Sequence, residues 1–171
     1  MKTEIRKHLE YASGYLELKM YEDALREADA VLAVAPDEPH ALALKSSALW
    51  RADRLREAEP FVEKLAALNP RDAGVWINLA YIRRRTRSLE AAVETLQRAF
   101  DADPGDALAH FNMACYRAVQ NRSEEALEEL RRALRLEPKL RSLALVEPDL
   151  KGLRGLKEFR RLVSRRRSRL K

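Results

Sequence analysis

Residues 73–106 read AGVWINLAYIRRRTRSLEAAVETLQRAFDADPGD, and this stretch decides the fold. Alanine, arginine and leucine are frequent in it, and their side chains lose little freedom in a helix. One small residue stands in each half, Ala80 and Ala92, where a small side chain lets two helices approach closely. Pro104 stands near the end, where its ring prevents a helix from continuing. The stretch therefore predicts a hairpin of two helices, closed by a turn that the proline marks.

The same pattern returns every 34 residues along the chain. It is carried by four prolines, by four alanines that stand twelve residues before them, and by four small residues in the first half of each unit. These residues are Pro36, Pro70, Pro104 and Pro138; Ala24, Ala58, Ala92 and Ala126; and Ala12, Ser46, Ala80 and Ala114. A fixed period of this length is typical of an array of helical hairpins. The chain is therefore predicted to be all-α, with units at about 5–38, 39–72, 73–106 and 107–140.

The repeated unit resembles the tetratricopeptide-repeat (TPR) family. The resemblance covers residues 1–140 and implies a right-handed α-solenoid of four helix-turn-helix repeats. The third unit carries the family pattern most fully, and the fourth follows it. The matching residues are Trp76, Asn78-Leu79-Ala80, Ala92, Leu96, Ala99-Phe100 and Pro104 in the third unit, and Asn112-Met113-Ala114, Ala126, Leu130, Ala133-Leu134 and Pro138 in the fourth.

Four positions depart from the family pattern, the first being Lys45 of unit two, where leucine is usual. Pro60 lies inside the second helix of unit two, where a proline removes a backbone hydrogen bond, so we expect this helix to be kinked or shortened. Arg83 and Arg117 stand where the family often has tyrosine, and we expect their side chains to extend over packed neighbours.

Residues 141–163 are predicted to close the array. Their apolar side chains are spaced mostly by three, which indicates a helical stripe. The run Pro148-Asp149-Leu150-Lys151-Gly152-Leu153-Arg154, which leads to Phe159, resembles the closing segment of many bacterial TPR proteins. The resemblance implies a capping segment over the exposed end of the last repeat. A separate binding helix is the alternative.

A basic tail occupies residues 164–171. Residues 151–171 contain ten Lys or Arg and one acid, for a charge of +9, so residues 1–150 carry −3 of the chain's +6. The tail is either a solvated end or an electrostatic contact with nucleic acid, an anionic lipid surface or an acidic partner. No aromatic residue interleaves its arginines, so base stacking is not supported. Those arginines are Arg165, Arg166, Arg167 and Arg169.

The resemblance also implies where a partner binds, because the first helix of each TPR repeat lines a concave groove. Asn78 and Asn112 hold the same place in successive units, and an amide can both donate to and accept from a peptide backbone. Intrahelical contacts are the alternative role for these two. The implied groove residues are Ser13, His40, Ser47, Trp50, Arg51, Asn78, Tyr81, Arg84, Arg85, Phe111, Asn112 and Cys115, with Arg6, Leu9, Glu10, Leu16, Glu17, Ala43, Leu44, Ile77, Leu108, Ala118 and Val119 at further groove positions.

The sequence carries no pattern of an enzyme, metal or cofactor site. Its single cysteine, Cys115, excludes an intramolecular disulfide and a thiolate cluster. His8 and His110 share the fourth position of their first helices, which is a packing position between repeats. The five glycines form no phosphate-binding loop. A charged amino terminus and the lack of a long apolar run exclude a signal peptide and a membrane span, so we expect a cytoplasmic protein.

These observations predict a non-enzymatic scaffold that binds an extended peptide or a helix of another protein. A chaperone for a secreted partner is one alternative, although such chaperones tend to be acidic and this chain is basic. A nucleic-acid-associated factor that acts through the arginine tail is the other. We expect a monomer or a weak homodimer.

Overall fold

The computed structural model of the chain describes residues 2–164. Over these residues it forms ten α-helices and one 3-10 helix and no strand, so the all-α prediction is confirmed. The helices are α1 (Lys2–Glu17), α2 (Tyr21–Val34), α3 (Pro39–Arg51), α4 (Leu55–Leu68), α5 (Ala73–Thr86), α6 (Leu89–Ala102), α7 (Ala107–Val119), α8 (Ser123–Leu136), α9 (Leu140–Val146), the 3-10 helix (Pro148–Leu153) and α10 (Lys157–Val163).

The described residues divide into two compact units, 2–98 and 99–164, and the division falls within α6. In the first unit, α1 packs against α2 and α3 packs against α4. Helix α3 also contacts α1 and α2, and α4 contacts α5. The small residues of the 34-residue period lie between these helices, because Ala12, Ala24, Ala58 and Ala80 are fully buried.

In the second unit, α7 packs against α8. The 3-10 helix lies on α7, and α10 contacts both α8 and α9. The apolar side chains of these last elements face inward, since Leu150, Leu153 and Phe159 are at most 2% exposed. The 3-10 helix and α10 thus contribute apolar side chains to the core of this unit.

Several helices, among them α3, α6 and α7, begin at acidic or hydroxyl caps. The carboxylate of Asp106 accepts a hydrogen bond from the amide of Ala109 at 2.8 Å, and that of Glu38 accepts from the amide of Ala41 at 2.6 Å. Such caps satisfy amides that lack a partner within the helix. Ser88 caps α6 in the same way, with its hydroxyl 3.1 Å from the amide of Ala91.

Three of the turns inside the hairpins use a left-handed residue. Lys19, Asp53 and Asn121 have φ of 61°, 59° and 61°, although none of them is a glycine. In each turn the next amide donates to a carbonyl five residues earlier, as that of Arg54 does to Leu49 at 2.8 Å. This arrangement satisfies the last carbonyls of the first helix. The equivalent residue of the third unit, Arg87, has φ of −122°.

Pro60 does not shorten its helix, so that part of the prediction is wrong. Helix α4 spans 14 residues, as α2 and α8 do. The proline is exposed, whereas its neighbours Ala58 and Val62 are buried. Burial of that apolar face offsets the loss of one backbone hydrogen bond near the start of the helix.

Glu59 is an acid in the interior of the first unit, only 7% exposed. Its carboxylate accepts hydrogen bonds from the Thr86 hydroxyl at 2.8 Å and from Nε of Arg83 at 3.4 Å, and Nε of Arg87 lies 2.6 Å away. Arg83 in turn donates to the hydroxyl of buried Thr95 at 2.9 Å. The arginine that replaces tyrosine is therefore held by a polar network as well as by packing.

Arg54 joins α2 to α4 on the surface of the first unit. Its guanidinium donates two hydrogen bonds of 2.7 Å to the carboxylate of Glu57 and one of 2.9 Å to Glu22. The hydrogen bond from Arg54 lowers the pKa of the Glu57 carboxyl below its ordinary value, against a smaller opposing effect of desolvation. A lowered pKa in the folded state means that Glu57 stabilises the fold above its unfolded pKa, and this contribution is lost as the pH falls through the folded pKa.

We therefore expect Arg54→Gln to raise the pKa of Glu57 toward the value of a free glutamate. The measurement is an NMR titration of the Glu57 side-chain carboxyl carbon between pH 2 and 7. Arg56→Gln is the matched control, because Arg56 is exposed on the same helix and does not contribute to the shift. An unchanged Glu57 titration in Arg54→Gln would contradict the assignment of the shift to this ion pair.

Candidate functional site

A depression of about 410 Å³ lies between α1 and α3 in the first unit. Leu9, Ala43 and Leu44 give it apolar walls, and the hydroxyl groups of Ser13 and Ser47 offer polar contacts within it. These positions recur at three- and four-residue steps, so they share one face of each helix. The full lining is Arg6, Leu9, Glu10, Ser13, His40, Ala43, Leu44 and Ser47.

The depression is lined by eight of the twelve residues that the TPR resemblance placed in a groove in the first two repeats; Leu16, Glu17, Trp50 and Arg51 do not line it. Leu16 and, in the third repeat, Ile77 belong to the core, so their prediction as groove residues is wrong. The small side chains of Ser13, Ala43 and Ser47 leave this space open. The charged side chains of Arg6 and Glu10 and the exposed ring of His40 complete the lining. This depression between α1 and α3 is called the groove below.

An aromatic platform stands on α3 and α5. The rings of Trp50 and Tyr81 stack with their centroids 4.8 Å apart and their planes 4° from parallel. Trp50 follows Ser47 by one helical turn, and Tyr81 is 36% exposed. The Tyr81 hydroxyl accepts a hydrogen bond of 3.4 Å from Arg85. The platform offers a flat, partly exposed apolar surface with a positive charge at its edge.

The remaining predicted residues of the first unit stand near the ends of α3 and α5. Arg51 is exposed and donates a hydrogen bond of 3.3 Å to the carbonyl of Leu16, near the last turn of α1. This contact places a positive charge at the negative end of a helix. Asn78 is exposed on α5, one turn before Tyr81, and Arg84 is half-buried one turn after Tyr81 on the same helix.

In the second unit the structure buries two of the predicted groove residues. Phe111 and Cys115 on α7 are 2% and 4% exposed, so neither presents a surface to a partner. The 3-10 helix packs on α7 and supplies the physical reason. Asn112 remains half-buried on the same helix. The arginines of the tail, from Arg165 onward, lie outside the described residues.

One group of potential metal ligands occurs in the described part of the chain. The ligand atoms of Cys115, Glu147 and Asp149 lie within 4.8 Å of one another. A single thiol with two carboxylates combines a soft donor with hard ones and lacks the imidazole or second thiolate typical of a zinc site. The group is therefore not assigned to a metal.

A second depression was not predicted from the sequence. It has a volume of about 340 Å³ and lies beside His8, between α1 and α2. Its lining is mostly apolar, and Val34 within it is 65% exposed. The signal that could have indicated it is the recurrence of histidine at the fourth position of both the first and the fourth unit. The lining is Glu4, Ile5, His8, Ala30, Val31 and Val34.

A comparison with models of known protein families shows which family the chain belongs to. The family model described as "Psidin, N-terminal TPR repeats region" matches residues 11–141, more than three quarters of the chain. The chain belongs to the TPR family. The predicted family is therefore confirmed, and TPR proteins are typically non-enzymatic interaction modules.

Several solved TPR structures share the fold. A structure of MamA superposes with a TM-score of 0.76 at 17% identity and covers 95% of this chain and 87% of its own. MamA from Desulfovibrio magneticus RS-1 gives 0.72 at 23% identity, covering 79% and 76%. YrrB, described as a TPR protein with an unusual peptide-binding site, gives 0.69 at 22% identity, covering 78% and 69%. Identities this low establish the shared fold alone.

No sequence among curated proteins matches this chain. Across residues 2–164, none of the helices combines the length and apolar character that crossing a membrane requires.

Proposed function

We propose that this TPR protein is a non-enzymatic scaffold that binds a peptide segment or a helix of another protein in the groove of its first unit. The observation that carries the proposal is the depression between α1 and α3, followed by the Trp50–Tyr81 platform on α3 and α5. An open, preformed apolar surface with a few polar groups is what a protein ligand needs for an anchored contact.

The chemistry of the lining indicates what kind of segment fits. An apolar side chain of the ligand that fills the space beside Leu9 and Leu44 would contribute about 1.5–3 kcal/mol by its burial. Exposed Asn78 can pair with the ligand backbone, since its amide both donates and accepts. Tryptophan, tyrosine and arginine are the residue types that most often dominate binding energy, and Trp50, Tyr81 and Arg85 supply all three in contact.

The positive charges near the platform favour a ligand that carries acidic residues next to its apolar anchor. Arg51, Arg84 and Arg85 stand near the ends of α3 and α5, beyond the platform. Carboxylates of a ligand would gain charge-assisted hydrogen bonds there. The segment that we propose is therefore an apolar or aromatic anchor followed by acidic residues. The description of YrrB as a peptide-binding TPR protein is consistent with a peptide ligand.

The test is to select peptides that bind the full chain from a random library. Their affinities are then measured for the wild type and for a variant whose groove is filled by a longer side chain. Ala43→Arg places a long side chain in the middle of the groove, and we expect it to weaken the selected peptides at least tenfold. Ala67→Arg is the matched control, because Ala67 is exposed on α4 and does not line the groove. It is expected to leave the affinity unchanged.

The outcomes separate the groove from other surfaces. Selected peptides that carry an apolar anchor, lose affinity in Ala43→Arg and keep it in Ala67→Arg would support the proposal. Peptides that bind both variants equally well would place recognition elsewhere and contradict it. Binding that disappears only when residues 164–171 are removed would favour the basic tail instead.

A further inference from the structure

The first and fourth TPR units contain the same pairing of a histidine with a glutamate. His8 and His110 stand 102 residues apart, which is three periods of 34. In each case the ring Nδ1 lies 2.6 Å from a carboxylate oxygen of the second helix, on Glu27 in one and Glu129 in the other. The two sites therefore share one register on α1 and α2 and on α7 and α8.

At His110 the chain itself fills the site. The ring of Phe100 packs on the imidazole with a centroid separation of 4.8 Å and a tilt of 43°. The second ring nitrogen, Nε2, lies 3.1 Å from the carbonyl oxygen of Pro104. Both groups come from one short stretch, the last turn of α6 and the proline turn that follows it. His110 is only 7% exposed as a result.

Both ring nitrogens of His110 face hydrogen-bond acceptors. Nδ1 lies beside a carboxylate, and Nε2 lies beside the carbonyl of the proline that follows the end of α6. The site thus recognises the carboxyl-terminal end of a helix that carries an aromatic residue four positions before a proline.

At His8 the equivalent site is exposed to solvent. The side chain of His8 is 35% exposed, compared with 9% for that of His110. Beside it lies the depression of about 340 Å³ whose apolar walls include Ile5, Val31 and Val34. Val34, on the last turn of α2, is 65% exposed. An aromatic ring seated there would cover the imidazole and this apolar wall together.

We propose that the face beside His8 binds the carboxyl-terminal turn of a partner protein's amphipathic helix with the sequence aromatic-x-x-x-proline. The aromatic ring packs on His8 and Val34, and the carbonyl of the proline accepts a hydrogen bond from Nε2 of His8. Glu27 holds the opposite nitrogen and so orients the ring. This surface is distinct from the groove, and its occupant follows from the contacts that Phe100 and Pro104 make with His110.

The test uses residues 89–106 of this chain as the probe peptide, because they contain Phe100 and Pro104 at the required spacing. A lactam between Glu94 and Arg98→Lys holds the peptide helical; these positions are one turn apart, and neither Phe100 nor Pro104 is altered. Binding of the labelled peptide to the full chain is followed by fluorescence anisotropy up to 1 mM. We expect saturable binding, and at least a tenfold loss when the peptide carries Phe100→Ala.

Variants of the full chain locate the binding face. Val34→Glu places a charge in the wall of the depression. Because Val34 is exposed, the fold is expected to persist, and the affinity for the peptide should fall at least tenfold. His8→Ala should do the same. Ala43→Arg, which blocks the groove, should leave this affinity unchanged and so separates the two proposals. In NMR spectra the ring protons of His8 should shift on addition of the peptide, because the aromatic ring stacks on them.

Three results would overturn the proposal. The first is no saturable binding of the helical peptide. The second is equal binding of the Phe100→Ala peptide, which would show that the aromatic residue is not read. The third is a loss of binding in Ala43→Arg but not in Val34→Glu, which would place the helix in the groove.

Discussion

Phe159→Ala is expected to lower the free energy of unfolding of the second unit by about 3–5 kcal/mol, the range for truncation of a buried aromatic side chain. Phe159 is 1% exposed, on a helix that contacts both α8 and α9. Its removal leaves a cavity where α10 meets these helices. An ion pair between Arg131 and Glu158 on the surface also holds α10. Such a pair contributes at most about 1 kcal/mol, so it does not replace the ring.

The measurement is urea unfolding followed by circular dichroism, with amide hydrogen exchange to locate the effect. Exchange should accelerate most in α9 and α10, since they lose the packing of the ring. Leu145→Ala is the control in the same segment, because Leu145 is 51% exposed, and a change within about 0.5 kcal/mol is expected. Equal effects of the two substitutions would contradict the proposal that residues 141–163 form a cap packed on the last repeat.

Removal of the buried acid in the first unit should have the next largest effect. Glu59→Ala is expected to cost about 2–3 kcal/mol, somewhat less than the loss of one partner from a fully buried pair, because Arg83 keeps some access to water. The side chain of Arg83 is 18% exposed, and that of Glu59 is 9% exposed. Without Glu59, the Thr86 hydroxyl also loses its carboxylate partner.

Glu63→Ala is the matched control for Glu59→Ala. Glu63 lies one turn along α4 and pairs with the same arginine, but its side chain is 50% exposed. Its removal should cost less than about 1 kcal/mol. Equilibrium urea unfolding measures both changes. The double substitution Glu59→Leu/Arg83→Met should recover most of the lost stability, because both charges are then absent. A cost of Glu59→Ala no larger than that of Glu63→Ala would show that burial of this carboxylate does not matter to stability.

Much of the fold follows from the sequence because the period repeats one packing problem four times. Where two helices of a hairpin meet, only a small side chain fits. Ala24, Ala58, Ala92 and Ala126 are all fully buried, as their common register predicts. The neighbouring register, at Ala28, Val62, Leu96 and Leu130, is at most 4% exposed. Prolines at the same spacing mark the ends of the second helices, since each of these helices stops within two residues before its proline.

The candidate site was predictable only where each repeat keeps the environment of the family pattern. Ser13 and Ser47 line the groove, whereas Cys115 in the same register is buried. The difference arises because the 3-10 helix lies on α7, and nothing in the register itself reports which element covers a position. The stacking of Trp50 on Tyr81 could not be predicted from the sequence either, because it depends on where α3 and α5 place their side chains.

The sequence by itself determined the all-α class, the 34-residue unit and the small residues inside each hairpin, because these depend on local helix chemistry and on contacts that every repeat makes within itself. The tertiary structure decided the burial of Glu59, the covering of Phe111 and Cys115, and the difference between an open His8 and a filled His110. Each of these depends on which segment packs against a given face. Residues at the same position of two repeats therefore differ in their exposure, and in the contacts that they can make, only once the helices are packed together.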